Sequence, residues 1–197
     1  DSLHYVLMNE CWGRFEENVN DNSIQLNVTH SPCGNGNIPN PEYPTHAPGR
    51  ISLDQPKHAG STVLALDYTG NGVMDLIIGD ISFPNLVFLL NGGTEVNTNS
   101  AMISYDLNFP TNSTPANLLL FPAAFHVDVN FDGKKDLVIG ASARNISKNN
   151  QSIWLYHNNG TEAQPNFVFQ TNDFLQNTMI DHGRGSVPIF VDVNRDG

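Results

Sequence analysis

The sequence predicts an all-β protein assembled from a repeated unit of four antiparallel strands. Two observations carry that prediction. The chain writes nearly the same nine-residue loop twice and two thirds of it a third time: Asp67-Tyr-Thr-Gly-Asn-Gly-Val-Met-Asp75, Asp128-Val-Asn-Phe-Asp-Gly-Lys-Lys-Asp136 and Asp192-Val-Asn-Arg-Asp-Gly197. The first Asp recurs after 61 residues and again after 64, and a period of that size marks a repeated structural unit. Short, β-branched-rich apolar runs flank both complete loops and end at Gly79 and Gly140. They read as strands entering and leaving a hairpin.

The two complete units can be laid over one another. A first strand leads into the loop, at residues 62–66 and 123–127, and a second leaves it, at residues 75–79 and 136–140. A third strand, Asn85-Leu-Val-Phe-Leu-Leu90 or Ser152-Ile-Trp-Leu-Tyr-His157, runs into an Asn-Gly pair. Such a pair is expected to turn the chain, because both residues tolerate positive φ. Residues 101–105 and 166–170 supply the fourth strand. Four antiparallel strands in about sixty residues is the anatomy of a β-propeller blade.

The same pattern sets the expected organisation. Residues 1–60 are the end of a preceding blade plus an irregular segment; residues 61–122 and 123–185 are blades; residues 186–197 start a third, with Val187-Pro-Ile-Phe-Val191 as its first strand. Within the first sixty residues, Leu3-His-Tyr-Val-Leu-Met8 is strand-like and Ser23-Ile-Gln-Leu-Asn-Val-Thr29 alternates apolar and polar residues. The stretch Ser31-Pro-Cys-Gly-Asn-Gly-Asn-Ile-Pro-Asn-Pro-Glu-Tyr-Pro44 holds too much Pro and Gly for regular structure.

The loops read as sites for a hard cation such as calcium, because oxygen-bearing side chains alternate along them and a glycine then lets the backbone turn sharply. An EF-hand is excluded. Its loop needs a bidentate Glu at the twelfth position, where this chain has Ile78 and Ile139 inside apolar runs. A single copy could equally be an Asx-rich surface turn without metal; three periodic copies favour the metal.

Composition narrows the function further. A net charge of -11, with only 9 Lys and Arg spread along the chain, argues against a nucleic-acid partner. No apolar run approaches the roughly 18 residues of a spanning helix, so no membrane span is expected. The chain begins at Asp1 without a signal peptide, as a processed or excised piece does. Cys11 and Cys33 are expected to form a disulfide if the protein is exported, and two free thiols if it is cytosolic. With no His or Cys at ligand spacing they are not a zinc site.

The stretch Val127-Asp-Val-Asn-Phe-Asp-Gly-Lys-Lys-Asp-Leu-Val-Ile-Gly140 resembles the FG-GAP/VCBS repeat, the calcium-loop blade of integrin α-subunit propellers and of many large secreted bacterial proteins. Leu66 to Gly79 is a weaker copy and Val191 to Gly197 a half copy, so the resemblance covers roughly residues 60 to 197. More narrowly, Asn9-Glu-Cys-Trp-Gly13, His58-Ala-Gly-Ser61, Asn91-Gly-Gly-Thr94 and Phe121-Pro-Ala-Ala124, in this order, are similar to a group of long surface-exported Bacteroidota proteins. In that group the repeats are followed by a sorting domain for type IX secretion, which these 197 residues do not contain.

The resemblance implies a ligand set. In the second loop Asp128, Asn130, Asp132 and Asp136 give side-chain oxygens and Lys134 its carbonyl, with room for water. In the first loop Asp67, Asn71 and Asp75 match and Val73 offers the carbonyl, while Thr69 stands where Asn or Asp is usual. With two carboxylates instead of three, that site is expected to be weaker. Asp192, Asn194 and Asp196 give the first half of a third site, expected to be empty or weak without positions seven and nine.

The function implied is a non-catalytic, calcium-binding repeat module of a secreted or cell-surface protein. It presents a rigid surface for adhesion to a glycan or protein, alongside further blades and the type IX secretion machinery as partners. The alternative is the propeller domain of a secreted polysaccharide-degrading enzyme. No catalytic cluster supports the alternative: Gly-Arg-Gly-Ser186 is not a nucleophile elbow. His126 is expected as a satisfied histidine on a blade face, opposite Val127, and His58 and His182 as turn or cap residues at equivalent corners. Trp12 and Trp154 are expected in the core rather than under a sugar. The sequons at Asn27, Asn112, Asn145, Asn150 and Asn159 follow from abundant Asn, Ser and Thr.

Overall fold

The computed structural model describes residues 12–18, 20–28, 60–96, 98, 100–143, 148, 150–180, 187 and 189–197. Cys11, Cys33, His58, His182 and the expected strand at residues 3–8 lie outside them. The described residues form ten strands: β1 (Phe15–Glu17), β2 (Ile24–Leu26), β3 (Ser61–Leu66), β4 (Asp75–Asp80), β5 (Leu86–Asn91), β6 (Met102–Asp106), β7 (Pro122–Val127), β8 (Asp136–Ala141), β9 (Ile153–Asn158) and β10 (Phe167–Thr171). One 3-10 turn, Gln176–Thr178, follows. The strands make three antiparallel sheets: the hairpin β1-β2 and two four-stranded meanders, β3-β4-β5-β6 and β7-β8-β9-β10. Neither meander closes on itself.

Both units fold identically around their loops. Leu66 pairs with Asp75 across β3 and β4, and Val127 pairs with Asp136 across β7 and β8, so each candidate loop is the turn of the first hairpin in its sheet. Alternation then decides what each face meets. Ile77 of β4 turns with Leu66 and Leu86 toward the second sheet, where Leu137, Ile139, Tyr156 and Phe167 meet them. Leu76 and Ile78 turn the other way and pack with Val87, Leu89, Met102 and Ile24 under the β1-β2 hairpin. The first sheet is therefore covered on both faces, and all six residues of β4 are buried.

The contact between the sheets is close at one point. A Cβ on Gly79 would sit 2.0 Å from the carbonyl oxygen of Pro122, and the Thr62 hydroxyl donates a hydrogen bond to that same oxygen at 2.6 Å. Only a glycine lets β7 lie there. Away from that point the core is tightly filled, and Ile77 is 1% exposed. Ile77→Val is expected to cost about 1 kcal/mol, a fall of about 2–4 °C in melting temperature for a chain of this size, measurable by calorimetry.

Two expectations are corrected, and one strand is added. The Asn-Gly pairs do not make two-residue turns, and neither Asn91 nor Gly92 adopts a positive φ. Glycine is needed there for space: a Cβ on Gly92 would meet the Ile103 side chain at 2.3 Å, and one on Gly160 the Gln164 carbonyl oxygen at 2.3 Å. Residues 187 and 189–191 carry no strand and are exposed, because no described residue pairs with them. Strand β1 was not anticipated; three residues with two Glu give no alternation to read.

Candidate metal centre

The three loops share one backbone. Their fourth and sixth positions adopt positive φ: Gly70 and Gly72, Phe131 and Gly133, Arg195 and Gly197. In each, the amide of the sixth residue donates to a carboxylate oxygen of the first. The distances are 2.7 Å from Gly72 to Asp67, 3.0 Å from Gly133 to Asp128 and 3.2 Å from Gly197 to Asp192. The second carboxylate oxygen of Asp67 accepts from Gly70 and Asn71, and that of Asp128 accepts from Asp132. The first Asp thus closes its own loop, an Asx-type turn written into the sequence.

The ninth residue is built differently. Asp75 and Asp136 are both 0% exposed, and each accepts two backbone amides. One comes from the second loop residue, Tyr68 or Val129, at 3.0 and 3.2 Å. The other comes from the last residue of the third strand, Asn91 or Asn158, at 2.8 Å in both. Burial pushes the Asp75 carboxyl above the usual range, against the pull of the Asn91 and Tyr68 amides.

Asn91 and Asn158 belong to the candidate site and were missed by the sequence reading. Both are buried and tie the loop to the sheet. Asn91 donates its side-chain amide to the Met74 carbonyl and accepts from Gly93, both at 2.9 Å. Asn158 donates to Thr161 and accepts from Gly160 and Asn166. The signal was an Asn closing the third strand in both units, which looked like a turn.

The remaining predicted residues line the loops. Thr69, Asn71, Asn130 and Asp132 are exposed, Val73 is buried, and Lys134 is half-buried. Asp192, Asn194 and Asp196 are all exposed. Asp132 is held below the usual carboxylate range, chiefly by the Lys134 amide. The Lys134 ammonium lies 3.5 Å from Asp132 and donates to the Asn158 carbonyl at 2.9 Å, so the second loop carries a cation of its own. Beside it, Lys135 reaches Glu162 through both its amide and its ammonium, at 2.8 and 2.6 Å.

The donor chemistry fits a hard cation, since the side chains at the first, third, fifth and ninth loop positions all carry oxygen. A carboxylate oxygen that accepts one amide keeps a lone pair for a metal. Among the described residues, no group of three or more carboxylates, imidazoles or thiolates is gathered as a ready-made cluster. The loop backbone is formed, and the carboxylates rest on amides. Lys134 lowers the second loop's negative charge, so Lys134→Met is expected to raise its calcium affinity about three- to tenfold by Coulomb repulsion removed. Titration calorimetry with calcium reads this directly.

Other candidates divide. His126 is half-buried with its ring edge-on to Phe167 at 5.8 Å. Burial holds its imidazole below the usual range, and among the described residues its Nε2 has no hydrogen-bond partner. Trp154 packs as expected, 5.4 Å from Phe169 and 6.4 Å from Tyr156. Trp12 does not, being 37% exposed beside the first loop.

Comparison with protein-family models, with curated proteins and with solved structures finds no match for this chain. Among the described residues no helix is long and apolar enough to cross a membrane.

Proposed function

We propose that the chain is a calcium-binding repeat module of an exported protein, an arc of a β-propeller that presents a rigid surface for adhesion to a glycan or protein. The observation that carries this reading is the third loop. Although among the described residues no strand leads into residues 192–197, they keep the positive φ angles and the first-Asp hydrogen bond of the two complete loops. A turn that recurs in this form, with the oxygen donors in the same places, is a device selected for its donors and not a by-product of one hairpin.

In the second loop, Asp128, Asn130, Asp132, Asp136 and the Lys134 carbonyl would hold the ion; in the first, Asp67, Asn71, Asp75 and the Val73 carbonyl, with Thr69 as a weaker donor. The ion supplies positive charge that relieves repulsion between neighbouring carboxylates. The chain's part is to hold the ninth carboxylate buried and oriented. Export and a cell-surface location rest on the FG-GAP/VCBS resemblance and suit calcium sites of millimolar affinity.

A glycan array probed with the purified protein, with calcium and with chelator, tests the reading. Calcium-dependent retention of a glycan without cleavage is expected. Cleavage would favour the enzyme alternative, and retention indifferent to chelation would separate adhesion from the metal.

A further inference from the structure

The two repeats differ at one place beside their loops. In the second, Lys135 is the eighth loop residue and donates its ammonium and its amide to the Glu162 carboxylate, at 2.6 and 2.8 Å. Glu162 closes the run Asn158-Asn-Gly-Thr-Glu162, and Glu95 closes the matching run Asn91-Gly-Gly-Thr-Glu95. The eighth residue of the first loop, however, is Met74. Among the described residues no cation pairs with Glu95.

Where the second repeat has an ion pair, the first has a cleft of about 480 Å³, a size usual for a small-molecule site. Trp12, Met74 and Val96 give it apolar walls and are 37%, 48% and 61% exposed. Val96 lies over the first loop, with its Cγ1 3.5 Å from where a Cβ on Gly72 would sit. Trp12 is placed through its neighbour, since the Met102 amide donates to the Gly13 carbonyl at 2.8 Å. Glu95 and Ser100 supply polar groups. Glu95 is exposed, while the Ser100 hydroxyl is buried and has no hydrogen-bond partner among the described residues. A buried hydroxyl without a partner calls for one.

We infer that this cleft binds a neutral pyranose unit of a glycan, its flat C–H face against Trp12 and its hydroxyls on Glu95 and Ser100. A pyranose combines an apolar face with a rim of hydroxyls, the complement of an aromatic wall beside a carboxylate and an unpaired hydroxyl. Acidic sugars are selected against: among the described residues no Lys, Arg or His lines the cleft, and the chain carries a net charge of -11. An apolar peptide side chain would leave Ser100 without a partner. The inference rests on the reading of the chain as an adhesion module and adds to it a site and a sugar class.

The test titrates chain 1–197, in calcium, with cellohexaose, xylohexaose, mannohexaose and maltohexaose, and with hexagalacturonic acid as the charged counterpart. Calorimetry is expected to show binding of at least one neutral sugar and none of the acid. Trp12→Ala is expected to weaken that binding at least about tenfold, and Trp12→Tyr, which keeps an aromatic face, to retain most of it. Met74→Lys installs the second repeat's own residue. It is expected to pair with Glu95 and abolish sugar binding while the melting temperature stays within about 2 °C.

Binding of the acid alone overturns the inference, as does failure of all four neutral sugars or binding that ignores both Trp12→Ala and Met74→Lys. The glycan array tells this failure from failure of the adhesion reading. A glycan retained equally by the wild type and both variants leaves adhesion standing and removes the cleft. An array that retains no glycan removes glycan adhesion itself, and the cleft with it.

Discussion

Replacing Asp136 by alanine is expected to lower the melting temperature of the calcium-free protein by about 6–12 °C. Asp136 is fully buried and accepts the amides of Val129 and Asn158. Alanine leaves the buried Asn158 amide and the part-buried Val129 amide without their acceptor, at about 1–3 kcal/mol each, or about 3 kcal/mol in all. A chain of this size loses about 2–4 °C per kcal/mol. Asp75→Ala should behave alike, because Asp75 makes the same two bonds to Tyr68 and Asn91. Asp128→Ala is the control: its carboxylate accepts exposed loop amides, so without calcium it should cost about 1 kcal/mol or less. Equal losses from Asp128→Ala and Asp136→Ala would show that the ninth position is no special anchor.

The second large effect is stabilisation by calcium. A ligand held only by the native state adds about 2.7 kcal/mol at a hundredfold excess over its dissociation constant, a rise of about 5–11 °C here. Chelation should reverse the rise, and Asp128→Ala should remove the second loop's share. Scanning calorimetry in calcium and in chelator measures both. Melting that does not move between the two conditions would leave the loops as closed Asx turns.

The strands of both units were legible because each is a short apolar run with fixed flanks, and β3 to β10 fall within one or two residues of their expected places. The loops were legible because side-chain oxygens and glycine recur at a fixed period. What stayed hidden depends on contacts far along the chain. The role of Asn91 appears only when β5 returns beside the first loop and its amide meets Asp75, 16 residues back. Gly79 looked like the end of a strand; the Pro122 carbonyl of the second sheet is what requires it. Residues 187–191 have β-branched and aromatic character, but propensity makes a strand only when the segment pairs with an edge, and no described residue pairs with residues 187 or 189–191. Trp12 was misplaced because a lone aromatic carries no periodicity to say which way it faces.

The most direct measurement is a calcium titration by calorimetry of chain 1–197, of Asp67→Ala, of Asp128→Ala and of the double variant. The metal-loop reading predicts two binding events of sub-millimolar to millimolar affinity, one lost in each single variant and both in the double, with the incomplete third loop contributing little. No heat of binding up to about 10 mM calcium, or binding that survives the double variant, would contradict it.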